Sequence, residues 1–199
     1  LYLDEEVVLK ALGELDEVEP INEPFSNGQD FGHSHFHAAL FWAERQENIT
    51  VECNNATITG NQNLVTGDIE QPGMGDKTFS FKLCKNITVK GTSKEAPLTF
   101  LDYGHFAFIA TGCDNVTVEN IYVGDLENQR DVVNFMQCNN TTAKNVKVLK
   151  CSNDIIKLGS DYSLGFVRNV SGTYVENIYA DYIGGGNVFQ LGSETFGDF

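Results

Sequence analysis

The sequence predicts an all-β chain whose short parallel strands stack as a β-solenoid, and three observations carry that reading. A hexapeptide pattern recurs, as Cys84-Lys85-Asn86-Ile87-Thr88-Val89, Cys113-Asp114-Asn115-Val116-Thr117-Val118 and Cys138-Asn139-Asn140-Thr141-Thr142-Ala143. A looser fourth copy is Cys53-Asn54-Asn55-Ala56-Thr57-Ile58. Successive cysteines of the last three copies are 29 and 25 residues apart. The runs around them are rich in β-branched and aromatic residues, and no apolar pattern of helical period separates them.

The elements follow in order. First-strand runs are Phe79–Leu83, Phe106–Ala110 and Val133–Met136, with Ile155–Leu158 and Val188–Leu191 downstream. Second strands are Ile49–Val51, Ile87–Val89, Val116–Val118 and Val146–Val148. Aligned on the cysteines, the first strands form an inward ladder of Phe79, Phe108, Val133, Ile156 and Phe189. A second ladder two residues on is Phe81, Ala110, Phe135, Leu158 and Leu191. Alternation turns the intervening residues outward, from Ser80, Lys82 and Ile109 to Asn134, Lys157 and Gln190, and the last three are expected to face solvent.

Five cysteines is an odd number, so at least one is unpaired within the chain. Stacked at equivalent corners they serve as small buried apolar groups, and without a CxxC pair they are not a metal site. Asn86, Asn115 and Asn140 suit left-handed turn positions where amides bond their stacked neighbours. Seven N-x-S/T sequons, at Asn48, Asn55, Asn86, Asn115, Asn139, Asn140 and Asn169, fit either a glycoprotein or a turn that leads into a strand; the turn is the favoured reading.

Of the 199 residues, 41% are hydrophobic, enough for a packed core. A net charge of -15 disfavours nucleic acid and anionic membrane as partners. No apolar run is long enough for a transmembrane helix. Starting at Leu1 without a signal peptide, the sequence reads as an excerpt of a longer protein. It is one domain over 1–199, with 1–30 as an N-terminal lead-in or cap region, and the solenoid is expected to be incomplete at both ends. Phe199 lacks a polar cap, so lower stability than in a longer protein is expected.

Two carboxylates stand out. Asp131 and Asp154, 23 residues apart, each lie two residues before the first inward ladder in adjoining repeats. Stacked strands are about 4.8 Å apart, so the pair could share one site and raise one pKa. The same spacing also fits two solvated acids at turns. Arg130 and Lys157 fall on the same surface, where they would bind an anionic or polyhydroxyl ligand or neutralise the acids. His105, beside the position equivalent to Asp131 one repeat earlier, is a candidate ligand contact. His33, His35 and His37 alternate and could share one face, which suits a metal. No carboxylate or Cys in that segment completes a site, so neither metal nor cofactor is expected.

Several blocks occur in a telling order: Gly32-His33-Ser34-His35-Phe36-His37; Gly104-His105-Phe106-Ala107 with Ala110-Thr111-Gly112; Asn128-Gln129-Arg130-Asp131; Ser152-Asn153-Asp154 with Ser160-Asp161-Tyr162-Ser163-Leu164-Gly165; and Gly192-Ser193-Glu194-Thr195-Phe196-Gly197-Asp198-Phe199. On these the chain resembles the pectin-degrading polygalacturonase family of glycoside hydrolases and its bacterial relatives. The resemblance implies a right-handed parallel β-helix of the pectin-lyase-like kind, a monomer in an extracellular or periplasmic setting, a polysaccharide or oligosaccharide substrate, and hydrolysis with inversion.

By position it makes Asp131 and Asp154 water-activating. It puts His105, Arg130, Asn134, Asn153, Lys157, Asp161, Asn187, Gln190 and Glu194 against substrate. The family's proton donor is replaced here by Asn153 and its histidine falls near Asn187, while its later Arg-x-Lys lies beyond Phe199 or is absent. Three readings follow: Asp161 or Glu194 supplies the proton, the chain binds carbohydrate without catalysis, or further repeats complete the site. A non-catalytic solenoid such as an adhesin, and a Ca²⁺-dependent lyase, are the other classes. The net charge repels polygalacturonate unless Arg130, Lys157 and Lys82 focus a positive potential, so a neutral glycan fits as well.

Overall fold

Short runs of β-branched and aromatic residues cannot bury themselves alone, and here each pairs with the matching run of the next repeat. The computed structural model describes residues 1–13, 33, 36–65, 75–124 and 130–199. Among these are fifteen strands and no α-helix. The first eight are β1 (Tyr2–Leu3), β2 (Val8–Lys10), β3 (Ala39–Glu44), β4 (Glu47–Cys53), β5 (Thr57–Thr59), β6 (Lys77–Lys82), β7 (Lys85–Gly91) and β8 (Leu98–Leu101). The rest are β9 (Phe106–Thr111), β10 (Asp114–Val123), β11 (Asp131–Met136), β12 (Asn139–Cys151), β13 (Ile156–Ser160), β14 (Ser171–Ile183) and β15 (Phe189–Thr195).

They form two sheets in which every pairing is parallel. The first runs β3-β6-β9-β11-β13-β15. The second joins β1, β4, β7, β10, β12 and β14, and β10 also carries β8, β5 and β2. This is a nearly all-β chain with parallel sheets, compatible with a parallel β-helix.

Both inward ladders stand in the expected register, Phe79–Phe108–Val133–Ile156–Phe189 and Phe81–Ala110–Phe135–Leu158–Leu191. They continue to Phe41 and Ala43 of β3. Phe41 stacks on Phe79 at 4.9 Å between centroids, and Phe81 lies tilted against Phe108 of the other ladder at 5.6 Å. From Phe79 and Phe81 to Ile156 and Leu158 the ladders join Ile87, Val89, Val116 and Val118 of the second sheet in one core, but at the last strand Phe189 and Leu191 are 44% and 58% exposed and do not lie inward as expected.

Three further expectations are corrected. Asn134 and Lys157 do not face solvent: they are 0% and 5% exposed, and only Gln190 is partly open. Alternation tells which face a side chain takes, but not what lies over that face, and β9 and β11 are buried at every position. The fourth hexapeptide copy is displaced, because Cys53 pairs with Gly91 while Gln46 occupies the corner of Cys84. Val146–Val148 matches Ile121–Val123, and Thr141–Ala143 is the true equivalent of Val116–Val118.

The corners hold the stack by repetition. All five cysteines are free and buried. At one corner the Cys84 N–H donates to Cys113 Sγ (3.3 Å) and the Cys113 N–H to Cys138 Sγ (3.4 Å). Each thiol in turn donates to a carbonyl of the preceding repeat, as from Cys138 to Ala110 at 3.3 Å. Asn48, Asn86, Asn115 and Asn140 all take the left-handed conformation, with φ of 61°, 56°, 57° and 55°. Their amides form a ladder, Nδ2 of Asn86, Asn115 and Asn140 donating to the Oδ1 before it at 3.0, 2.9 and 3.3 Å. Gly172 (φ 68°) ends this column, and a Cβ there would meet Asn140 Oδ1 at 2.7 Å. A second ladder of Asn120, Asn145 and Asn177, bonded at 2.8 and 3.0 Å, went unread in the sequence. Its signal was there: each is followed by Ile or Val.

We expect Asn115→Ala to lower unfolding free energy by about 1 to 3 kcal/mol, from two lost amide bonds and left-handed strain. Asn115→Gly, which tolerates that conformation, should recover part of the loss. Denaturant melts of both variants check this; equal losses would remove the backbone argument.

Candidate functional site

Strict alternation breaks where the first-sheet strands begin. Ala107 and Phe108, Val132 and Val133, and Ile155 and Ile156 are consecutive pairs that all lie in the core. The residue before each pair is therefore turned to the outer face. Phe106 accordingly packs with Ile109 and Met136 in a cluster of its own. Asp131 shares its row with Phe106, and Asp154 follows in the next repeat. The Val132 N–H donates to the Asp154 carbonyl at 2.9 Å, and the Asp154 N–H donates to Asp131 Oδ1 at 3.2 Å. The two acids thus adjoin as the spacing suggested, at 1% and 2% exposure, buried rather than solvated at a turn.

Burial pushes the Asp131 carboxyl from 3.8 up to about 6; Lys157, Arg130 and His33 pull against this, and Asp154 adds to it. Asp154 Oδ1 accepts from the Asn187 N–H (2.8 Å) and from Asn187 Nδ2 (3.4 Å). The Gln190 amide lies between them. With its nitrogen toward Asp154 it reaches both carboxylate oxygens, at 3.0 and 3.2 Å; turned over, it accepts from Asn187 Nδ2 at 2.6 Å. Asn187 and Gln190 therefore orient Asp154.

Lys157 donates to Glu194 at 2.9 Å. Glu194 reaches it through a register shift, since Leu158 pairs with Leu191 but Ser160 with Thr195. Burial raises the Glu194 pKa, yet the Lys157 charge, the His33 charge and the Lys157 hydrogen bond outweigh it and leave it below its ordinary value. Asp161 behaves alike. Burial raises it, but His33 Nδ1 at 2.8 Å and the Ser163 hydroxyl and N–H at 2.6 and 2.9 Å bring it below. Both carboxyls are thus held below their ordinary values, whereas Asp131 is held above its own.

His105 is fully buried, and the Arg130 guanidinium lies 3.3 and 3.5 Å from its ring nitrogens. The Tyr103 hydroxyl donates to the Arg130 carbonyl at 2.7 Å. Asn153 sits at the turn before Asp154, its carbonyl accepting from Cys151 Sγ at 3.2 Å. Asn134 lies between Ile109 and Lys157 in its row, and neither atom of its amide has a hydrogen-bond partner among the described residues. His33 Nε2 and Gln137 Oε1 are likewise buried without a hydrogen-bond partner among the described residues.

His33 and His37 have separate surroundings. His33 stacks on Phe106 at 5.4 Å and bonds Asp161, whereas His37 lies on Trp42 at 4.0 Å, 3.7 Å from Glu44. His35 lies outside the described residues, as do Gly32, Ser34, Asn128 and Gln129. No group of three or more His, Cys, Asp or Glu among the described residues could hold a metal ion. The sequence reading missed the His33–Asp161 couple and the supports Gln137 and Ser163. Only the Asp161-x-Ser163 spacing, suited to a local side-chain turn, hinted at the last.

A pH test follows from Asp131. Its folded value lies above the unfolded one, so its contribution is full below pH 4 and is lost as pH rises through 6, by about 3 kcal/mol in all. Asp131→Asn should therefore gain stability relative to the parent between pH 4 and 7. Melting curves across that range check it, and parallel curves would overturn the assignment.

No protein-family model, no curated protein and no solved structure matches this chain.

Proposed function

We propose that this chain acts on polysaccharide as a glycoside hydrolase, its repeats winding as a right-handed parallel β-helix and its acids cleaving glycosidic bonds with inversion. Right-handed crossovers are the rule for parallel strands, which supports the winding. The observation that carries the function is the buried Asp131–Asp154 pair, joined by the 3.2 Å bond from the Asp154 N–H. One carboxyl of such a pair must hold a proton near neutral pH and the other must not. The value of about 6 suits Asp131 to protonate the departing glycosidic oxygen. Asp154, oriented by Asn187 and Gln190, then accepts the proton of the attacking water.

A hydroxyl-rich ligand is favoured by the polar atoms left over. Each unpartnered buried group costs roughly 1 to 3 kcal/mol, and sugar hydroxyls both donate and accept. The Asn134 amide beside Lys157, and His33 Nε2 and Gln137 Oε1 beside Asp161, offer such partners. A second reading, carbohydrate binding without catalysis, is favoured by Asn153 at the donor place of the resembled family and by the near-complete burial of both acids.

Reducing ends released from a panel of neutral and acidic glycans test the proposal. The parent should release them from at least one glycan, with the product anomer inverted. Asp131→Asn and Asp154→Asn should each cut the rate by about 10²- to 10⁴-fold while the protein still folds. Glycan bound without release of reducing ends would establish the second reading, and a retained anomer would overturn inversion.

A further inference from the structure

The second sheet turns again at the Asn120, Asn145 and Asn177 ladder. Beyond it Ile121, Val123, Val146 and Val148 enter the core, with Ile178 and Ala180 packed against it. Alternation leaves Tyr122, Lys147 and Tyr179 outward, in register across three adjacent strands. Lys147 Nζ lies 5.7 Å from the Tyr122 ring centre and 5.9 Å from that of Tyr179, within cation–π range.

The setting is unusual for this chain. Other lysines lean on glutamates: Lys82 on Glu44, Lys85 on Glu47, Lys90 on Glu52, Lys144 on Glu176 and Lys157 on Glu194. Lys147 instead stands between two aromatic faces. A groove of about 190 Å³ opens here, lined by Lys94 and Lys147, the two tyrosines and the asparagine ladder, with no carboxylate among the described residues of its wall. In a chain of 28 acidic and 13 basic residues, Glu176 stands at the rim, 3.4 Å from Asn177 Nδ2 and within the field of Lys94, but it is ion-paired by Lys144 at 3.3 Å, so the two lysines of the wall make a local positive spot on a surface that otherwise repels anions. Alongside it Lys150 pairs with Tyr182, which is 56% exposed, repeating the Lys–Tyr arrangement.

We propose that the groove at Tyr122, Lys147 and Tyr179 binds an anionic sugar chain, at a surface separate from the buried acids. Tyrosine faces pack on the apolar faces of pyranose rings and lose little freedom when held on strands. Tyr122 and Tyr179 are two strand spacings apart, about 9.6 Å, roughly the length of a disaccharide. Lys94 and Lys147 supply the charge that a carboxylated or sulfated sugar seeks. The site requires neither Asp131 nor Asp154 and stands whether or not the chain is catalytic.

Affinity electrophoresis of the full chain through gels holding polygalacturonate, carrageenan or dextran tests it. Polygalacturonate, carrageenan or both should retard the parent, the two arms separating carboxylate from sulfate, and dextran should not. Tyr122→Ala and Tyr179→Ala should each weaken binding roughly tenfold, and Lys147→Glu should abolish it, with melting temperatures held near the parent's. Lys85→Glu, at an exposed lysine outside the groove, should bind as the parent does. The proposal is overturned by no retardation in any gel, by equal retardation in dextran, by Lys147→Glu binding unchanged, or by loss of binding in Lys85→Glu.

Discussion

In-register stacking of like residues on like residues is the constraint from which the rest follows. Parallel strands one spacing apart put each side chain directly over its counterpart, so every row must be filled by residues that can pair with their neighbours in it, and like residues recur where they can pair with themselves. Phenylalanine does so through ring contacts, as from Phe41 through Phe79 to the Phe81–Phe108 pair. Asparagine does so because its amide is both donor and acceptor, and cysteine because its sulfur accepts from one neighbour while its S–H donates to another. Charged residues cannot stack on themselves, and the outer column Glu52–Lys90–Glu119–Lys144–Glu176 alternates in sign instead.

Asp131 and Asp154 break that rule. Burial makes an ionised Asp131 costly and the neighbouring Asp154 adds to that cost, which is why Asp131 is displaced toward neutrality. The surroundings respond with oriented donors on Asp154 and with a neighbouring Lys157–Glu194 pair. A chain that accepts such a pair in its interior, beside an Asn134 amide without a hydrogen-bond partner among the described residues, has given up stability at one place. Sites of chemistry are where such losses concentrate.

Much of the fold was legible. The two inward ladders could be written down residue by residue, because an apolar pattern of period two and a recurring Cys-x-Asn corner together leave one register. The displaced copy at Cys53 shows the limit. Its letters match the hexapeptide, yet Gln46 holds the corner, since pairing obeys the hydrophobic row of Ile49 and Val51 and not the cysteine. The Tyr122–Lys147–Tyr179 row was invisible for a related reason: its members share no residue type, and only the register brings them together.

The sequence by itself determined the all-β character, the stacking partners of the first-sheet ladders, the left-handed asparagine corners and the juxtaposition of Asp131 with Asp154. These depend on local period and on repeat length, both of which are written along the chain. Tertiary structure alone decided that the outer face of β9, β11 and β13 is buried, that Glu194 swings to Lys157 through a slip in pairing, and that His33 meets Asp161 across 128 residues. Those outcomes depend on which distant segments come to lie against one another, and no repeat or alternation encodes that.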